Sequence, residues 1–398
     1  MKKIALMLIL GLAWSAVAYA QFHYPDAQNP EILRHTCRKK PYRQEIIIPQ
    51  VNDYNVYKAD LHTHSVFSDG NVLPDYRMKE AWQDGMDIVA ITEHLEWRPH
   101  DETLAEYVVG TAEGVKNNRI SYNPPDADGI LVDLNYPYDR AMKWAPEFGI
   151  TVIKGIEISR DGTTVGHYNA LFTTDNNKIY HPDPLTSIRN AKAQGALVMH
   201  NHPGWRKKNV AMTKTDKVAY KEGLIDGVEV MNESDFYPSI VDRANEYGIF
   251  MSAGSDIHSS TASEYMSVGL RRPMTLIFAK DKSMESLKEA LESRRTVAYA
   301  FGTMCGDMGL LKDLFLASVS VEIATEKTAS DKTLLWLVNR SSLPYYLSFG
   351  GNNPEYLAPF SSIILRRNPE DREIEFEVVN MFYSKDRHPI VKMTYYAL

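Results

Sequence analysis

Histidine and carboxylate side chains form a compact cluster near residue 60 of this sequence. His62 and His64 are separated by one residue, and Asp69 follows on a Ser-Asp-Gly turn. In an extended chain, side chains two positions apart point to the same face, so the two imidazoles can reach one metal ion together. Asp60 shares that face. The spacing therefore predicts a metal site to which the turn can add a carboxylate.

Four further clusters of the same residue types occur along the chain. They contain Glu93 and His94, then Glu157 and His167, then His200 and His202, and finally Asp256 and His258. A single histidine of this kind is more often structural, but five clusters in one chain favour a shared metal centre. Imidazole and carboxylate ligands in this mixture suit Zn, Mn or Fe, because Ca and Mg prefer oxygen ligands alone. The remaining histidines are expected to be structural: His23, His35, His100, His181 and His388.

Each cluster lies where a predicted strand ends. Apolar, strand-like segments cover residues 87–92, 150–156, 196–199, 227–231 and 249–253, and helix-like stretches separate them. This alternation predicts βα units around a buried parallel sheet. A length of about 245 residues fits a barrel-like α/β domain, and such barrels carry their active sites at the carboxyl ends of the strands.

The pattern changes after about residue 308. Strand-like runs cover residues 316–323, 334–338, 361–365 and 374–379, with turns rich in Asn, Ser, Pro and Gly between them. Short strands without intervening helices predict a small antiparallel β-sandwich of about 90 residues. We expect residues 57–308 to form the barrel domain and residues 309–398 the sandwich. The sandwich could cap the barrel, or it could bind a glycan or a protein.

The first twenty residues have the features of a secretory signal peptide. Two lysines follow Met1, residues 4–17 form an uncharged apolar stretch, and Ala18-Tyr19-Ala20 provides a cleavage site between small residues. The stretch is shorter than the roughly 20 apolar residues of a membrane anchor. We therefore expect cleavage near Ala20, export to the periplasm or the extracellular space without a membrane anchor, and an extended lead-in over residues 21–56.

Composition narrows the range of partners and of cysteine chemistry. A net charge of −7 provides no positive field that would collect nucleic acid, so no nucleic-acid polymer is expected as a partner. With only two cysteines, Cys37 and Cys305, the chain cannot build a cysteine metal cluster. An oxidising compartment would permit the two to pair, but they could equally be two buried thiols.

Taken in order, the motifs resemble those of the PHP (polymerase and histidinol phosphatase) superfamily. They are Asp60-x-His62-x-His64, Thr92-Glu93-His94, the pair Glu157 and His167, His202-Pro203-Gly204, and Gly254-Ser255-Asp256-x-His258. The resemblance extends from Tyr57 to about Ala300. It implies a distorted (βα)7 TIM-like barrel, a centre of two or three metal ions, and hydrolysis of phosphoesters. Residues 65–70 and the signal peptide look most like a secreted branch of PHP-type phosphodiesterases.

The family pattern implies three metal sites in this sequence. His62, His64, Glu157 and Asp256 would hold the first ion; Glu157, His167 and His202 the second; and Asp69, His94 and His258 the third. His202 is preferred over His200 because the family places its ligand before Pro-Gly. His200 is then expected beside the ligands or in the wall of the pocket. Asp60 and Asn169 are expected to orient ligating imidazoles.

These residues predict an exported metal-dependent phosphoesterase that acts on small diesters or monoesters through a metal-bridging hydroxide. The leaving group could take its proton from a metal-bound water, from His200 or from Glu93, and Arg206 is a candidate for binding the phosphate. Trp97 and Trp205 could stack on the substrate, although such rings more often pack against their own loops. Two alternatives stay open: a metal-dependent amidase or lactonase on the same barrel, and a binding module led by the sandwich.

Overall fold

The computed structural model of the chain describes residues 23–26, 29–35, 42–100, 133–160, 164–324, 332–351 and 353–395. The chain divides into a short unit, Met1–Tyr42, and a large unit, Arg43–Leu398. In the short unit, strands β1 (His23–Asp26) and β2 (Asn29–His35) pair in antiparallel fashion. The predicted signal peptide at residues 1–20 and Cys37 lie outside the described residues.

The large unit starts with a region in which strands and helices alternate. Its strands are β3 (Asn55–Asp60), β4 (Ile88–Ile91), β5 (Thr151–Ser159), β6 (His167–Leu171), β7 (Leu197–Asn201), β8 (Gly227–Asn232), β9 (Asp235–Phe236), β10 (Phe250–Gly254), β11 (Met274–Ala279), β12 (Thr296–Ala300) and β13 (Thr303–Gly306). Its helices are α1 (Pro74–Gln83), α2 (Tyr136–Phe148), α3 (Pro184–Ala193), α4 (Lys214–Lys221), α5 (Pro238–Tyr247), α6 (Thr261–Glu264) and α7 (Met284–Glu292). Single 3₁₀ turns occur at Asn176–Lys178 and Met266–Val268.

These strands form one curled sheet in the order β10-β8-β7-β6-β5-β4-β3-β11-β12-β13, and β9 pairs with β8. β3, β4 and β5 are parallel to one another, and so are β7, β8 and β10. The predicted barrel-like α/β fold is confirmed, but the predicted parallel sheet is mixed. β6 is antiparallel to both neighbours, and the β3–β11, β11–β12 and β12–β13 pairs are antiparallel as well. Residues 160–166 join β5 to β6, and so short a connection cannot make the crossover that parallel strands require.

Side chains bring β10, at one end of this order, against β11 and β12. Ser252 Oγ lies 2.8 Å from Thr275 Oγ1, and Thr296 donates to the backbone oxygen of Met251 at 2.8 Å. Beyond the strand ends, the backbone continues this contact, since Asp256 N donates to His62 O at 3.0 Å. The segment after β3 therefore lies beside the segment after β10.

Local sequence explains where the helices start and stop. Proline occupies the first turn of α1, α2, α3 and α5, where its missing N–H group has no intrahelical partner to lose. α4 begins at a capping box in which Thr213 and Asp216 bond each other's backbone N–H groups. Gly149 and Gly248 end α2 and α5 in the left-handed conformation that glycine adopts readily.

The C-terminal part begins at helix α8 (Met308–Ser318) and continues in two antiparallel sheets. Its strands are β14 (Val319–Ile323), β15 (Thr333–Asn339), β16 (Tyr345–Ser348), β17 (Glu355–Leu357), β18 (Ser362–Arg367), β19 (Glu373–Val378), β20 (Met381–Phe382) and β21 (Ile390–Thr394). The order is β14-β15-β18 in one sheet and β17-β16-β19-β21 in the other. The predicted antiparallel β fold is confirmed. Residues 316–318, predicted as strand, belong to α8, because Leu311, Leu314 and Phe315 form a buried helical stripe that continues to Ser318.

The barrel and the C-terminal sheets share packing contacts. Met304 of the barrel and Phe376 of the C-terminal part belong to one buried apolar cluster. Within the C-terminal part, Phe315 of α8 packs on Tyr345 and Phe376, with ring centroids 4.8 and 5.4 Å away. Strand β20 pairs in parallel with β13, so Met381 lies opposite Met304 in the barrel sheet. None of the helices in the described ranges is long and apolar enough to cross a membrane.

Candidate metal centre

The side chains that the sequence predicts as metal ligands lie at one edge of the barrel sheet. His62, His64 and Asp69 follow β3, His94 follows β4, Glu157 lies in β5, His167 begins β6, His202 follows β7, and Asp256 and His258 follow β10. The antiparallel direction of β6 matters here, because its first residue then lies at the edge at which the parallel strands end. His167 therefore lies between Ser159 and Asn201 in the sheet.

The first group of ligand atoms belongs to His62, His64, Glu157 and Asp256. The two imidazole Nε2 atoms are 3.1 Å apart, and they lie 3.2 and 3.0 Å from Asp256 Oδ1. Glu157 Oε1 lies 3.5 Å from His62 Nε2, and its Oε2 lies 3.7 Å from His64 Nε2. Atoms about 2.0–2.2 Å from one ion in a tetrahedron are about 3.3–3.6 Å apart, so this group suits one transition-metal ion.

The second group shares Glu157 with the first. Its Oε1 lies 3.2 Å from His167 Nδ1 and 3.5 Å from His202 Nε2. Asn201, which the sequence analysis does not single out, donates to the same oxygen at 2.8 Å and fixes the carboxylate in place. Glu157 is thus positioned to bridge two ions.

The third group is built around Asp69. Its Oδ1 lies 3.4 Å from His94 Nε2 and 3.1 Å from His258 Nε2. The ring of His64 lies between the two imidazoles, with centroids 4.3 and 4.5 Å away. His94 also faces Glu157, because its Nδ1 lies 2.5 Å from Oε2. The structure therefore brings all nine predicted ligands together.

The donor set fits divalent cations. Asp69 Oδ1, Glu157 Oε2 and His167 Nδ1 are buried. Each lies close to another ligand atom, but none makes a hydrogen bond of good geometry with a described residue. Buried polar atoms are nearly always paired, so unpaired atoms within these ligand groups indicate that the groups hold a ligand. His167 Nε2 lies 2.7 Å from the backbone oxygen of Arg160. That contact places the ring hydrogen on Nε2 and leaves Nδ1 free to bind a metal.

The charges in this cluster influence one another strongly. Burial alone would raise the pKa of Glu157 and of Asp256, but the neighbouring imidazoles hold both pKa values well below their usual range. Burial would lower the pKa of His94, but the carboxylates of Glu157 and Asp69 raise it to about 10. Burial and the adjacent His94 lower the pKa of His64 to about 3. The negative charge of the ionised carboxylates favours protonated imidazoles. A divalent cation would replace those protons, because it satisfies the same negative charge.

Four residues around the site have a left-handed backbone. The φ angles are 23° at His202, 52° at Arg206, 47° at Glu233 and 50° at Asp256. Residues with a Cβ atom avoid this region for steric reasons, and where a fold maintains it, the strain is concentrated at functional sites. His202 and Asp256 come directly after strands β7 and β10, so these angles turn their side chains away from strand geometry and towards the cluster.

A cavity of about 370 Å³ opens beside the ligands, and its other walls include Trp97, Trp205, Arg206 and Glu233. Trp205 packs on the ring of His202, with centroids 5.4 Å apart. The guanidinium carbon of Arg206 lies 4.2 Å from the centre of the Trp205 ring. Because an aromatic face attracts a cation, Trp205 holds the charge of Arg206 at the cavity.

Glu93 has a different position from the one predicted. Its carboxylate is buried and accepts hydrogen bonds from Ser65 N at 3.0 Å, from the Ser65 hydroxyl, and from the Ser68 hydroxyl at 2.6 Å. These bonds fix the turn that carries Asp69. The prediction that Glu93 protonates a leaving group is therefore corrected, because both of its oxygens are engaged inside the protein and it does not line the cavity.

His200 belongs to a separate buried cluster. Its Nδ1 lies 3.1 Å from the hydroxyl of Tyr220, and its Nε2 lies 3.7 Å from Asp216 Oδ1. It does not line the cavity, so its predicted role as a proton donor or wall residue is corrected. The physical reason is that β7 ends at Asn201 and the left-handed backbone of His202 turns the two imidazoles in different directions.

Glu229 is a functional residue that the sequence analysis does not identify. It is fully buried in β8, and its Oε1 lies 2.9 Å from His62 Nδ1. Its Oε2 accepts a hydrogen bond from His202 N at 2.8 Å. One carboxylate therefore holds two metal-binding segments. The sequence feature that could have indicated Glu229 is its position as an acidic residue in the middle of an otherwise apolar strand.

Two residues predicted to orient imidazoles act on other groups. Asp60 Oδ1 accepts hydrogen bonds from His62 N at 3.3 Å and from Ser255 N at 3.2 Å. Its Oδ2 accepts one from Arg272 Nη1 at 3.0 Å. Asn169 Nδ2 donates to the backbone oxygen of Leu61 at 3.1 Å. Both side chains hold the backbone beside the ligands instead of the rings, so the predicted contacts are corrected.

The curled α/β sheet and the ligand groups at its edge define the class as a PHP-like metal-dependent phosphoesterase fold. The PHP domain family matches residues 60–251, and this match supports the resemblance of the barrel to the PHP superfamily.

The chain is also similar to solved structures. One is a two-domain protein from Bacteroides vulgatus that is described as containing a predicted PHP-like metal-dependent phosphoesterase. It is 29% identical in sequence to this chain, and the alignment covers 89% of this chain and 99% of that protein. The TM-score is 0.76. Another is from Bifidobacterium adolescentis and is described as a candidate metal-dependent phosphoesterase. It is 15% identical in sequence, the alignment covers 58% of this chain and 95% of that protein, and the TM-score is 0.38. No curated protein sequence matches this chain.

Proposed function

We propose that this protein hydrolyses small phosphodiesters at a centre of two or three divalent cations. The observation that carries the proposal is the position of Glu157, whose oxygens face His62, His94 and His167, one from each ligand group. When bound, the cations supply an activated water and neutralise charge on the phosphoryl oxygens. The mixture of imidazole and carboxylate ligands favours Zn, Mn or Fe.

The chain's own side chains would bind and orient the substrate. Arg206 is exposed at the cavity and would donate charge-assisted hydrogen bonds to a phosphoryl oxygen. Trp97 and Trp205 would give apolar contact to an ester group that extends away from the metals. Ligand binding against these rings would exclude water from the reacting phosphorus.

The preference for diesters is supported by Glu233. Glu233 lines the cavity, and its backbone N donates to Gly254 O at 3.1 Å beside the ligand segment. A monoester carries a second negative charge, which this carboxylate would repel, whereas a diester carries one charge. The cavity of about 370 Å³ suits a small substrate, and the net charge of −7 is unfavourable for nucleic-acid polymers.

The test is hydrolysis of bis(p-nitrophenyl) phosphate, p-nitrophenyl phosphate and p-nitrophenyl acetate by the chain loaded with Mn or Zn. We expect the diester to be cleaved fastest, and Glu157→Gln to lose both activity and bound metal. The exposed Glu147→Gln is the matched control and should keep both. Cleavage of the acetate alone would overturn the proposal and favour the amidase or lactonase. A faster monoester would overturn the diester preference.

We also propose that the protein is exported and cleaved after Ala20. The support is the charged start, apolar stretch and small-residue cleavage site of residues 1–20. Mass spectrometry of protein recovered from the periplasm should find Gln21 at the N-terminus. Recovery of chains that begin with Met1 would contradict the proposal.

A further inference from the structure

A second cavity, of about 360 Å³, lies between the barrel and the C-terminal sheets. We call it the aromatic groove and define it by Arg271, Tyr299, Phe301, Tyr346 and Tyr356. It shares no lining residue with the cavity of the metal centre. Its residues come from the segments before β11, at the β12–β13 turn, and in strands β16 and β17, so only the folded chain brings them together.

One wall consists of two tyrosines on neighbouring strands. Tyr346 and Tyr356 are directly opposite each other in the β16–β17 pair, with ring centroids 4.9 Å apart and an interplanar angle of 36°. Their residues are 39% and 49% exposed. Large aromatic residues that remain this exposed contribute little to the core, so their faces are available to a ligand.

The opposite wall includes a residue whose backbone is strained. Phe301 and Gly302 form the two-residue turn between β12 and β13, with φ angles of 48° and 88°. A turn with two positive φ angles favours Asn or Gly, and phenylalanine is unfavourable there. Phe301 is nevertheless 40% exposed, so core packing does not compensate for the strain. Strain without a packing benefit indicates a role in binding.

The floor of the groove carries a positive charge. Among the described residues that line it, Arg271 is the only one with a charged side chain. Its Nη1 donates to Ser342 O at 3.0 Å, and its charge acts on the Tyr299 hydroxyl, where it opposes the rise in pKa that burial causes. Because a guanidinium has five N–H donors, these contacts hold the group in place and leave donors for a ligand.

We propose that the aromatic groove binds an acidic carbohydrate. The C–H faces of a pyranose ring match the faces of Tyr346, Tyr356 and Phe301, and a carboxylate on the sugar matches Arg271. A purely apolar peptide fits less well, because it would bury the Arg271 charge without a partner. The proposal is independent of the metal centre, and it gives the C-terminal part a binding role.

The test uses calorimetric titration of the full chain with trigalacturonate, with neutral maltotriose as the comparison sugar. We expect trigalacturonate to bind and maltotriose to bind at least tenfold more weakly. The double variant Tyr346→Ala/Tyr356→Ala should lose at least tenfold in affinity, and Arg271→Gln, which removes the positive charge, should lose the preference for the acidic sugar. Trp336→Ala is the matched control, since Trp336 is 38% exposed but lies outside the groove.

Several outcomes would overturn the proposal. These are no binding of trigalacturonate, equal binding of both sugars, or full affinity in the double variant. Tight binding of a proline-rich peptide that neither sugar displaces would also overturn the proposal. That result would indicate a peptide-binding groove. If the double variant does not fold, Tyr356→Ser provides the same test at the more exposed ring. Diester hydrolysis by the metal centre should be unchanged in every groove variant, which separates this proposal from the proposed function.

Discussion

Nδ1 of His62 lies 2.9 Å from Oε1 of Glu229, and both side chains are fully buried. The same carboxylate bonds His202 N and the amide of Asn232, so it holds a ligand ring from one strand end and a ligand backbone from another. Carboxylates behind a metal-binding histidine fix its orientation and raise its basicity. Glu229 is therefore a positioning residue for the candidate metal centre.

We expect Glu229→Gln to reduce metal affinity by about 10- to 100-fold, the usual effect of losing such a partner. The loss of charge makes His62 a weaker ligand while the shape of the side chain is kept. Metal titration followed by calorimetry measures the change. Glu222→Gln, at an exposed ion pair with Arg189, is the control. Unchanged affinity in Glu229→Gln would contradict the positioning role.

Gly254→Ala should disturb the contact between Glu229 and His62, because residue 254 packs directly against both side chains. A Cβ atom at residue 254 would lie 2.1 Å from Glu229 Oε1 and 2.9 Å from His62 Cβ. We expect overpacking to reduce the free energy of unfolding by about 1–3 kcal/mol and metal affinity to fall with it. Chemical denaturation and metal titration check both effects. Gly351→Ala, with open space around its position, should change neither.

Arg77 connects the two segments that carry His64 and His258. Its buried guanidinium donates to the backbone oxygens of both, at 2.8 and 2.9 Å, and pairs with Glu80 at 2.8 Å. Arg77→Met should cost about 3–5 kcal/mol of unfolding free energy, because it leaves the buried Glu80 carboxylate unpaired.

Adding Glu80→Gln to Arg77→Met should recover part of that loss, since the unpaired charge is then removed. Urea unfolding of the two variants measures the difference. Equal stability of the single and double variants would show that the backbone contacts of Arg77, and not its charge pair, account for the whole effect.

Arg206→Ala should raise KM for a phosphodiester about tenfold with little change in kcat. Arg206 is exposed at the cavity. In the proposed role it would contact the substrate in the ground state and the transition state alike, and loss of such uniform binding appears in KM. Lys208→Ala, an exposed charge on the same loop outside the cavity, is the control. Steady-state kinetics that show a lower kcat with an unchanged KM would contradict this role.

Removal of metal by a chelator should lower the melting temperature and abolish hydrolysis, and added Mn or Zn should restore both. The reason is that an ion present at 100 times its Kd stabilises the folded state by about 2.7 kcal/mol. Differential scanning calorimetry measures the shift. Glu157→Gln serves as the control, because its melting temperature should not respond to the chelator.

The sequence by itself determined the order of the five histidine and carboxylate clusters, from which the family pattern implies nine ligands, and the change from an α/β barrel to a β domain. Both depend on local information: residue types that can bind metals, such as His62 and His64, and the periodicity of short apolar segments. The antiparallel direction of β6 was not evident from these segments. It follows from the short connection after Ser159, and it is what brings His167 to the ligand edge.

Only the tertiary structure decided which neighbouring polar residues serve the site. His200 and His202 share a face in an extended chain, but the left-handed backbone of His202 separates them. Glu93 turned out to hold the Asp69 turn, and Glu229 reaches His62 from a strand 167 positions away. The spacing of residues along the sequence predicts which side chains can share a face within one strand or turn. Contacts between distant strands are set by the packing of the whole sheet, and no local pattern records that packing.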